Sequence, residues 1–349
     1  MRADAAVRSI YVPLTALFLA VTVTACGDPP SAPPPALEET PDVDLARWLV
    51  GLPRNPWAAR GGPPVLVGAG DIARCYQPES PTEITPPHLT AAESTAMILD
   101  RIPGTVMALG DNAYEFGSPS DYLLCYEPTW GRHKARTRPA AGNHEYLTPG
   151  AAGYFTYFLP VSAPPGGYYS YDLGRWHVVV LNSMPQWSAC PPPKTSPEAG
   201  RTCAGDVAQR LWLIADLERH RNRCTIAYFH HPRFSSGRHG SQYEMQQFWD
   251  ILYAKGVDVV VSAHDHLYER FAPQDPEGNR DERRGIRQFT VGTGGAGLYE
   301  FATILPNSEV RINDTHGVLA VALDNNRYAW AFVSVAGGAV RDSGSGRCH

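Results

Sequence analysis

Val106-Met107-Ala108-Leu109-Gly110-Asp111-Asn112-Ala113-Tyr114 carries the pattern from which the fold class follows. Four apolar residues run directly into Gly-Asp, the pattern of a buried strand that stops at a turn bearing a carboxylate. Upstream, Val65-Leu66-Val67 leads into Gly68-Ala69-Gly70-Asp71 in the same layout. Downstream, Thr225 to Phe229 ends at His230-His231-Pro232, and Val257 to Ser262 ends at His264-Asp265-His266. Between these runs lie amphipathic stretches. Thr90 with Glu93 is a capping-box signature opening a helix towards Ile102. Val207 to His220 reads as a helix with Leu211, Ile214 and Ala215 on one face, and Glu244 to Ala254 as another. Tyr168 to Tyr171 and Trp176 to Leu181 flank Gly174 as a hairpin, and Gln288 to Val291, Val318 to Leu323 and Tyr328 to Val335 read as strands. Such alternation belongs to an α/β protein rather than an all-β barrel or a helical bundle.

The 349 residues show no internal repeat and no second Pro/Gly-rich boundary, so residues 63–349 are expected to form one domain. Hydrophobic residues at 43% and charged residues at 19% suit a compact globular chain. A net charge of −5 without a basic run gives no reason to expect a nucleic-acid-binding surface. At the N-terminus, Arg2 and Arg8 precede the apolar Tyr11 to Val23, then Thr24-Ala25-Cys26. A basic start, a short apolar core and small residues at the cut describe a secretory signal in residues 1–25. The cysteine that follows resembles a bacterial lipoprotein signal, with Val23 where such signals usually carry Leu. The expectation is an exported, membrane-anchored lipoprotein, at the cell surface or in the periplasm, that touches the membrane through a lipid on Cys26 alone. An ordinary cleaved signal and an uncleaved anchor are the alternatives, although the apolar run is short for a spanning helix. Residues 26–62 read as a Pro-rich tether and lead-in. Six further cysteines, Cys75, Cys125, Cys190, Cys203, Cys224 and Cys348, predict disulfides, with Cys190–Cys203 around a Pro-rich loop the preferred pair. No C-x-x-C spacing points to a thiolate zinc site.

Asp71, Asp111, His230 and His264 each follow a predicted strand, and open α/β sheets bind ligands beyond the carboxyl ends of their strands. An Asp after a strand usually caps a turn, and a single His is usually structural. All four at one sheet edge are poorly explained that way.

With Gly142-Asn143-His144-Glu145 added, the ordered set Gly70-Asp71, Gly110-Asp111-Asn112-Ala113-Tyr114, Gly142-Asn143-His144-Glu145, His230-His231-Pro232 and His264-Asp265-His266 resembles the calcineurin-like metallophosphoesterases. It is most similar to their purple acid phosphatase branch, which the continuation Leu267-Tyr268-Glu269-Arg270 also resembles. Ala263 stands where the family usually has Gly. The resemblance spans about residues 65–270 and implies an α-β-β-α sandwich with a metal site at the C-terminal ends of its strands. It implies two metal ions, Asp111 bridging them, with Asp71, Tyr114 and His266 on one ion and Asn143, His230 and His264 on the other. In an extended segment His264 and His266 point to the same side and can serve adjacent ions. Many relatives carry a histidine two residues after the first Asp, where this chain has Ala73. The purple branch uses the Tyr of G-D-x-x-Y instead, so the resemblance implies iron at the Tyr114 site and iron, zinc or manganese at the second. A buried tyrosine with a satisfied hydroxyl is the alternative for Tyr114.

By the same resemblance His144 is a catalytic group rather than a ligand, with Glu145 available to orient it, and His239 is a second catalytic candidate facing substrate. His231 is expected to point away and His316 to be structural; Arg233 and Arg238 could contact phosphate, but loop arginines are more often solvated. The implied activity is hydrolysis of small phosphate esters by metal-activated hydroxide, most simply of monoesters. A phosphodiesterase or nucleotidase on the same site, or a surface lipoprotein without turnover, are the competing readings. No G-x-S-x-G and no Walker P-loop offers another chemistry.

Overall fold

The computed structural model describes residues 62–77, 80–86, 90–163, 166–185, 206–220 and 224–349. The leader, the tether and the Cys190–Cys203 loop lie outside the described residues. Among those described, the strands are β1 Val65–Ala69, β2 Tyr76–Gln77, β3 Ser80–Ile84, β4 Thr105–Leu109, β5 Thr137–Ala140, β6 Tyr169–Leu173, β7 Trp176–Val180 and β8 Thr225–Tyr228. They continue as β9 Val259–Ser262, β10 Tyr268–Phe271, β11 Arg287–Val291, β12 Ser308–Ile312, β13 Gly317–Asp324, β14 Arg327–Ser334 and β15 Val340–Arg347. The main helices are α1 Ala91–Leu99, α2 Ala152–Tyr157, α3 Val207–Arg219 and α4 Gln246–Ala254.

Two large sheets result, ordered β15-β14-β13-β1-β4-β5 and β12-β10-β11-β9-β8-β7-β6. In the first, β1, β4 and β5 are parallel. In the second, β7, β8, β9 and β11 are parallel. Strand side chains alternate between faces, and here both faces are apolar. Val178, Val180, Ile226, Tyr228, Val259 and Val261 join a core that includes Leu66, Val67, Val106 and Leu109 of the first sheet. The intervening Val179, Ala227 and Val260 join Leu213 and Leu217 of α3 and Phe248, Trp249 and Leu252 of α4. Continuous apolar runs were therefore the correct signal for these strands, and the α-β-β-α expectation holds.

The helix readings need two refinements. Thr90 caps α1, accepting the Glu93 N–H at 3.1 Å, but the Glu93 carboxylate does not reach back to the cap. It binds Arg132 instead, with Nη1 at 2.7 Å. In α3 the expected face was wrong by half a turn: Leu211 is 62% exposed, whereas Leu213 and Leu217 are buried. Leu213 and Leu217 are spaced i, i+4, and Gln209 joins them through bonds to the Asn182 main chain.

Disulfides Cys75–Cys125 and Cys224–Cys348 close the described part. The second joins the start of β8 to the residue after β15, across a sequence separation of 124. The Leu267-Tyr268-Glu269-Arg270 run acts as a structural pin. The Tyr268 hydroxyl donates to Asp342 at 2.6 Å, and Arg270 Nε donates to the same oxygen at 2.8 Å. Trp330 Nε1 donates to it as well, at 3.0 Å. Glu269 accepts the Ser236 N–H at 2.8 Å and the Ser308 hydroxyl at 2.5 Å, which holds the loop after β8. Strands of both sheets thus meet on one carboxylate. Removing it in Asp342→Ala strips the buried Tyr268 and Trp330 donors of their acceptor and leaves Arg270 paired with Glu309 alone, and should cost about 1–3 kcal/mol. Thermal unfolding should show a clear drop in midpoint; an unchanged midpoint would remove Asp342 from this role.

Candidate metal centre

Each parallel strand that ends at this site ends on a turn. Asp71 follows β1, Asp111 follows β4, His230 follows β8 and His264 lies just past β9, while Asn143 lies in the loop after β5. Three of these residues have left-handed backbones: Asp71 at φ 57°, Asp111 at φ 50° and His264 at φ 70°. Non-glycine residues rarely adopt that region, and such departures gather at functional sites. The left-handed step re-aims each side chain from the strand axis into a common bay. Gly110, at φ 90°, precedes Asp111, and a Cβ there would lie 2.8 Å from His230 Nδ1. A Cβ on Gly142 would lie 2.2 Å from Asp111 Oδ1. Ala263 adds its methyl group where Gly70 has none, and so fits.

The two carboxylates are held by main-chain amides on one oxygen and present the other to the bay. Asp111 Oδ1 accepts the His144 N–H at 2.8 Å, and Asp71 Oδ2 accepts the His264 N–H at 2.9 Å. The free oxygens build two cages. In one, Tyr114 Oη lies 2.8 Å from Asp71 Oδ1, 3.2 Å from Asp111 Oδ2 and 3.2 Å from His266 Nε2. In the other, His230 Nε2 lies 3.3 Å from Asp111 Oδ2, 3.2 Å from Asn143 Oδ1 and 3.2 Å from His264 Nδ1. Asp111 Oδ2 belongs to both. The far ring nitrogens are tied down: His230 Nδ1 donates to the Leu109 carbonyl at 3.0 Å and His266 Nδ1 to the Gly297 carbonyl at 2.7 Å. Those bonds fix the tautomers that turn the Nε2 lone pairs inward.

Lone pairs crowded in this way need positive charge, and the titration behaviour reflects it. Burial pushes the Asp111 carboxyl up, but the His230 and His144 imidazoles outweigh burial and hold it below the usual carboxylate range. Burial opposes the charged form of His230, yet Asp111 prevails and the imidazole is pushed up to about 9. Asp71 is lowered and His266 raised by their mutual attraction, again against burial. Burial drives the Tyr114 phenol well above its ordinary value, with Asp71 and Asp111 adding to the effect. Burial likewise drives His264 well below the ordinary imidazole value, with His231 and His230 adding. Two carboxylates, three imidazoles, an amide oxygen and a phenol form a hard, mostly oxygen and nitrogen donor set. This chemistry fits cations, which would displace the protons that these groups otherwise share.

His144 stands beside the bay, its ring 4.4 Å from that of Tyr114. Its Nδ1 donates to the Glu115 carbonyl at 2.5 Å, and its Nε2 lies 3.9 Å from Asp111 Oδ2. Glu145 does not orient it, contrary to the sequence expectation. The Glu145 carboxylate accepts the N–H groups of Gly142 at 2.6 Å, Asp111 at 2.9 Å and Asn112 at 2.8 Å, and so ties two candidate-bearing loops together. A buried carboxylate next to three unpaired amides is more strongly satisfied there than beside a half-exposed imidazole. His239 is exposed, with its ring 4.4 Å from His264 and its N–H on Asp265 at 2.8 Å. His231 Nδ1 lies 2.8 Å from the Ser183 hydroxyl, but the ring does not point fully away: it stands 4.5 Å from the His264 ring, with a nitrogen within 4.8 Å of ligand atoms of His230 and His264. His316 donates to the Ala296 carbonyl at 2.9 Å.

Two further expectations change. The 264–266 segment is a bend rather than an extended strand, because His264 is left-handed; its two histidines reach different cages by different nitrogens. Arg233 is buried, with Nε on Gln246 Oε1 at 2.8 Å, and is not a solvated loop cation. Sequence reasoning missed Tyr299, whose ring stacks on His266 at 4.0 Å and 10°. The signal available for it was the glycine-rich Gly292-Thr293-Gly294-Gly295-Ala296-Gly297 immediately before it.

Residues 90–268 match the calcineurin-like phosphoesterase family, and the chain belongs to it. That family implies a dinuclear metal site. The curated relatives include Arabidopsis thaliana purple acid phosphatase 18, 28% identical over 134 residues, or 37% of this chain and 26% of the relative. Purple acid phosphatase 21 of the same plant is 28% identical over 176 residues, 47% of this chain and 36% of the relative. The chain therefore spans well under half the length of either. Among solved structures, a purple acid phosphatase from yellow lupin (Lupinus luteus) superposes with a TM-score of 0.60 at 19% identity, covering 81% of this chain and 53% of that one. GAP50, described as the anchor in the inner membrane complex of Plasmodium, superposes with a TM-score of 0.59 at 14% identity, covering 82% and 90%. At these identities the likeness is one of fold.

Proposed function

We propose that this chain is a dinuclear metal-dependent phosphomonoesterase of purple acid phosphatase type, with residues 63–349 as its catalytic domain. One observation carries the reading: Asp111 Oδ2 sits 3.2 Å from Tyr114 Oη and 3.3 Å from His230 Nε2, so one carboxylate would serve both donor sets. Asp71, Tyr114 and His266 would hold one ion, iron, and Asn143, His230 and His264 the other, iron, zinc or manganese. When bound, such a pair supplies Lewis-acid activation of water and neutralises charge on the phosphoryl oxygens.

The remaining work falls to side chains. His144, with Nδ1 held by the Glu115 carbonyl, turns Nε2 towards the bay. From there it can donate a hydrogen bond to a phosphoryl oxygen and hand a proton to the departing alkoxide. His239, its ring 4.4 Å from that of His264, can meet the substrate. His144→Ala should leave metal content unchanged and lower kcat by roughly 10²–10⁴-fold. Loss of metal in that variant would reassign His144 to the ligand set. Iron-loaded protein should show a visible phenolate-to-iron absorption band that disappears in Tyr114→Phe; the same spectrum in both proteins would end the Tyr114 assignment.

We place the protein outside the cytoplasm, anchored by a lipid on Cys26. The Cys75–Cys125 and Cys224–Cys348 disulfides support an oxidising compartment. In bacterial cells fed a labelled fatty acid, the full chain should take up label and Cys26→Ala should not; labelling of both would overturn this anchor.

A further inference from the structure

Two guanidinium groups stand at the bay, and they differ in one respect. Arg74 lies 5.7 Å from the Tyr114 ring centroid and is ion-paired with Glu115. Arg238 is exposed, lies 5.4 Å over the Tyr299 ring, and has neither a carboxylate nor a hydrogen-bond partner among the described residues. Tyr299 is itself fixed to the site: its ring stacks on His266 at 4.0 Å, and its N–H donates to the His266 carbonyl at 2.9 Å. Its ring also meets His239 edge-on at 5.5 Å. Arg238 is thus a cation held one aromatic ring away from a candidate metal ligand, with its donors unused.

We propose that Arg238, carried on Tyr299, is the subsite for a second phosphoryl group. The preferred substrates are then phosphoric anhydrides such as nucleoside diphosphates, ahead of esters whose leaving group is uncharged. This deepens the phosphoesterase reading above and rests on it. A guanidinium matches a phosphate with paired parallel donors, and a ring beneath it removes much of the freedom that a surface arginine would lose on binding. Glu115 neutralises Arg74, so among the described residues at the bay the added negative charge of a second phosphate has Arg238 as its uncompensated partner. A diester brings no such charge, since its second substituent shares the one phosphorus.

The test is calorimetric titration of the metal-loaded protein with ADP and with AMP, which differ by the second phosphate alone. Wild type should bind ADP more tightly than AMP. Arg238→Ala should weaken ADP by about 10- to 100-fold and AMP by no more than about threefold, the range for one charge-assisted hydrogen-bonding group. Arg74→Ala should weaken ADP less than Arg238→Ala does, and Tyr299→Leu should reproduce part of the Arg238→Ala loss with metal content retained. Equal weakening of both nucleotides in Arg238→Ala, or of neither, would overturn the subsite. Turnover of p-nitrophenyl phosphate by the same wild-type preparation separates the two ideas. Its absence would count against the phosphoesterase reading, while the ADP-to-AMP affinity ratio still decides the role of Arg238.

Discussion

The bay depends on one oxygen. Asp111 Oδ2 is the atom common to the Tyr114 cage and the His230 cage, and the two halves of the site have no other shared donor among the described residues. For that oxygen to face inward, Oδ1 must be occupied elsewhere, which the His144 N–H does at 2.8 Å. The residue must also leave β4 in a left-handed step, which Gly110 precedes and Glu145 secures by accepting the Asp111 and Asn112 amides. A carboxylate tolerates that backbone region better than most side chains. Geometry and residue type are matched at the one place where both cages meet.

The same logic explains why the fold places its parallel strands as it does. β1, β4 and β5 of one sheet and β8 and β9 of the other all end at the same edge of the sandwich. Each sheet alone could offer part of a donor set: Asp71, Asp111 and Asn143 come from the first, His230 and His264 from the second. The first sheet brings the carboxylates and the amide, the second the imidazoles. The cluster of opposite charge holds itself together, Asp111 against His230 and Asp71 against His266. Held apart in unfolded chain, none of these groups would show the shifts that burial and mutual attraction give them here.

What could be read in the sequence, and what could not, follows from range. The strands buried on both faces were legible because an apolar run needs no partner to be recognised, and the ligand candidates because each sits at the end of such a run. The α3 face was misread because Leu211 is apolar but has no sheet beneath it, a fact of packing and not of periodicity. Glu145 was misassigned to its sequence neighbour His144, when two of its three amide partners are brought by the fold from 33 and 34 residues away. Tyr299 went unseen because its meaning comes from His266, across a loop and a strand pairing that no local pattern encodes.

The pairing of Ala73 with Tyr114 has a backbone cause. Beyond the ends of β1 and β4 the two turns stay zipped together: Asp71 N–H to Gly110 O at 3.1 Å, Ile72 to Asp111 at 2.9 Å, Ala73 to Asn112 at 3.0 Å, and Tyr114 N–H back to Ala73 O at 2.9 Å. Positions 73 and 114 are therefore neighbours in space on a rigid ladder. A donor for the Asp71 side of the bay can rise from either, but two bulky donors would compete for one volume. Ala73 is fully buried with only a methyl group, and the Tyr114 ring, also buried, extends its hydroxyl to within 2.8 Å of Asp71. A small residue at 73 is thus the steric condition for a phenol at 114. The choice between imidazole and phenol is therefore made across two loops at once.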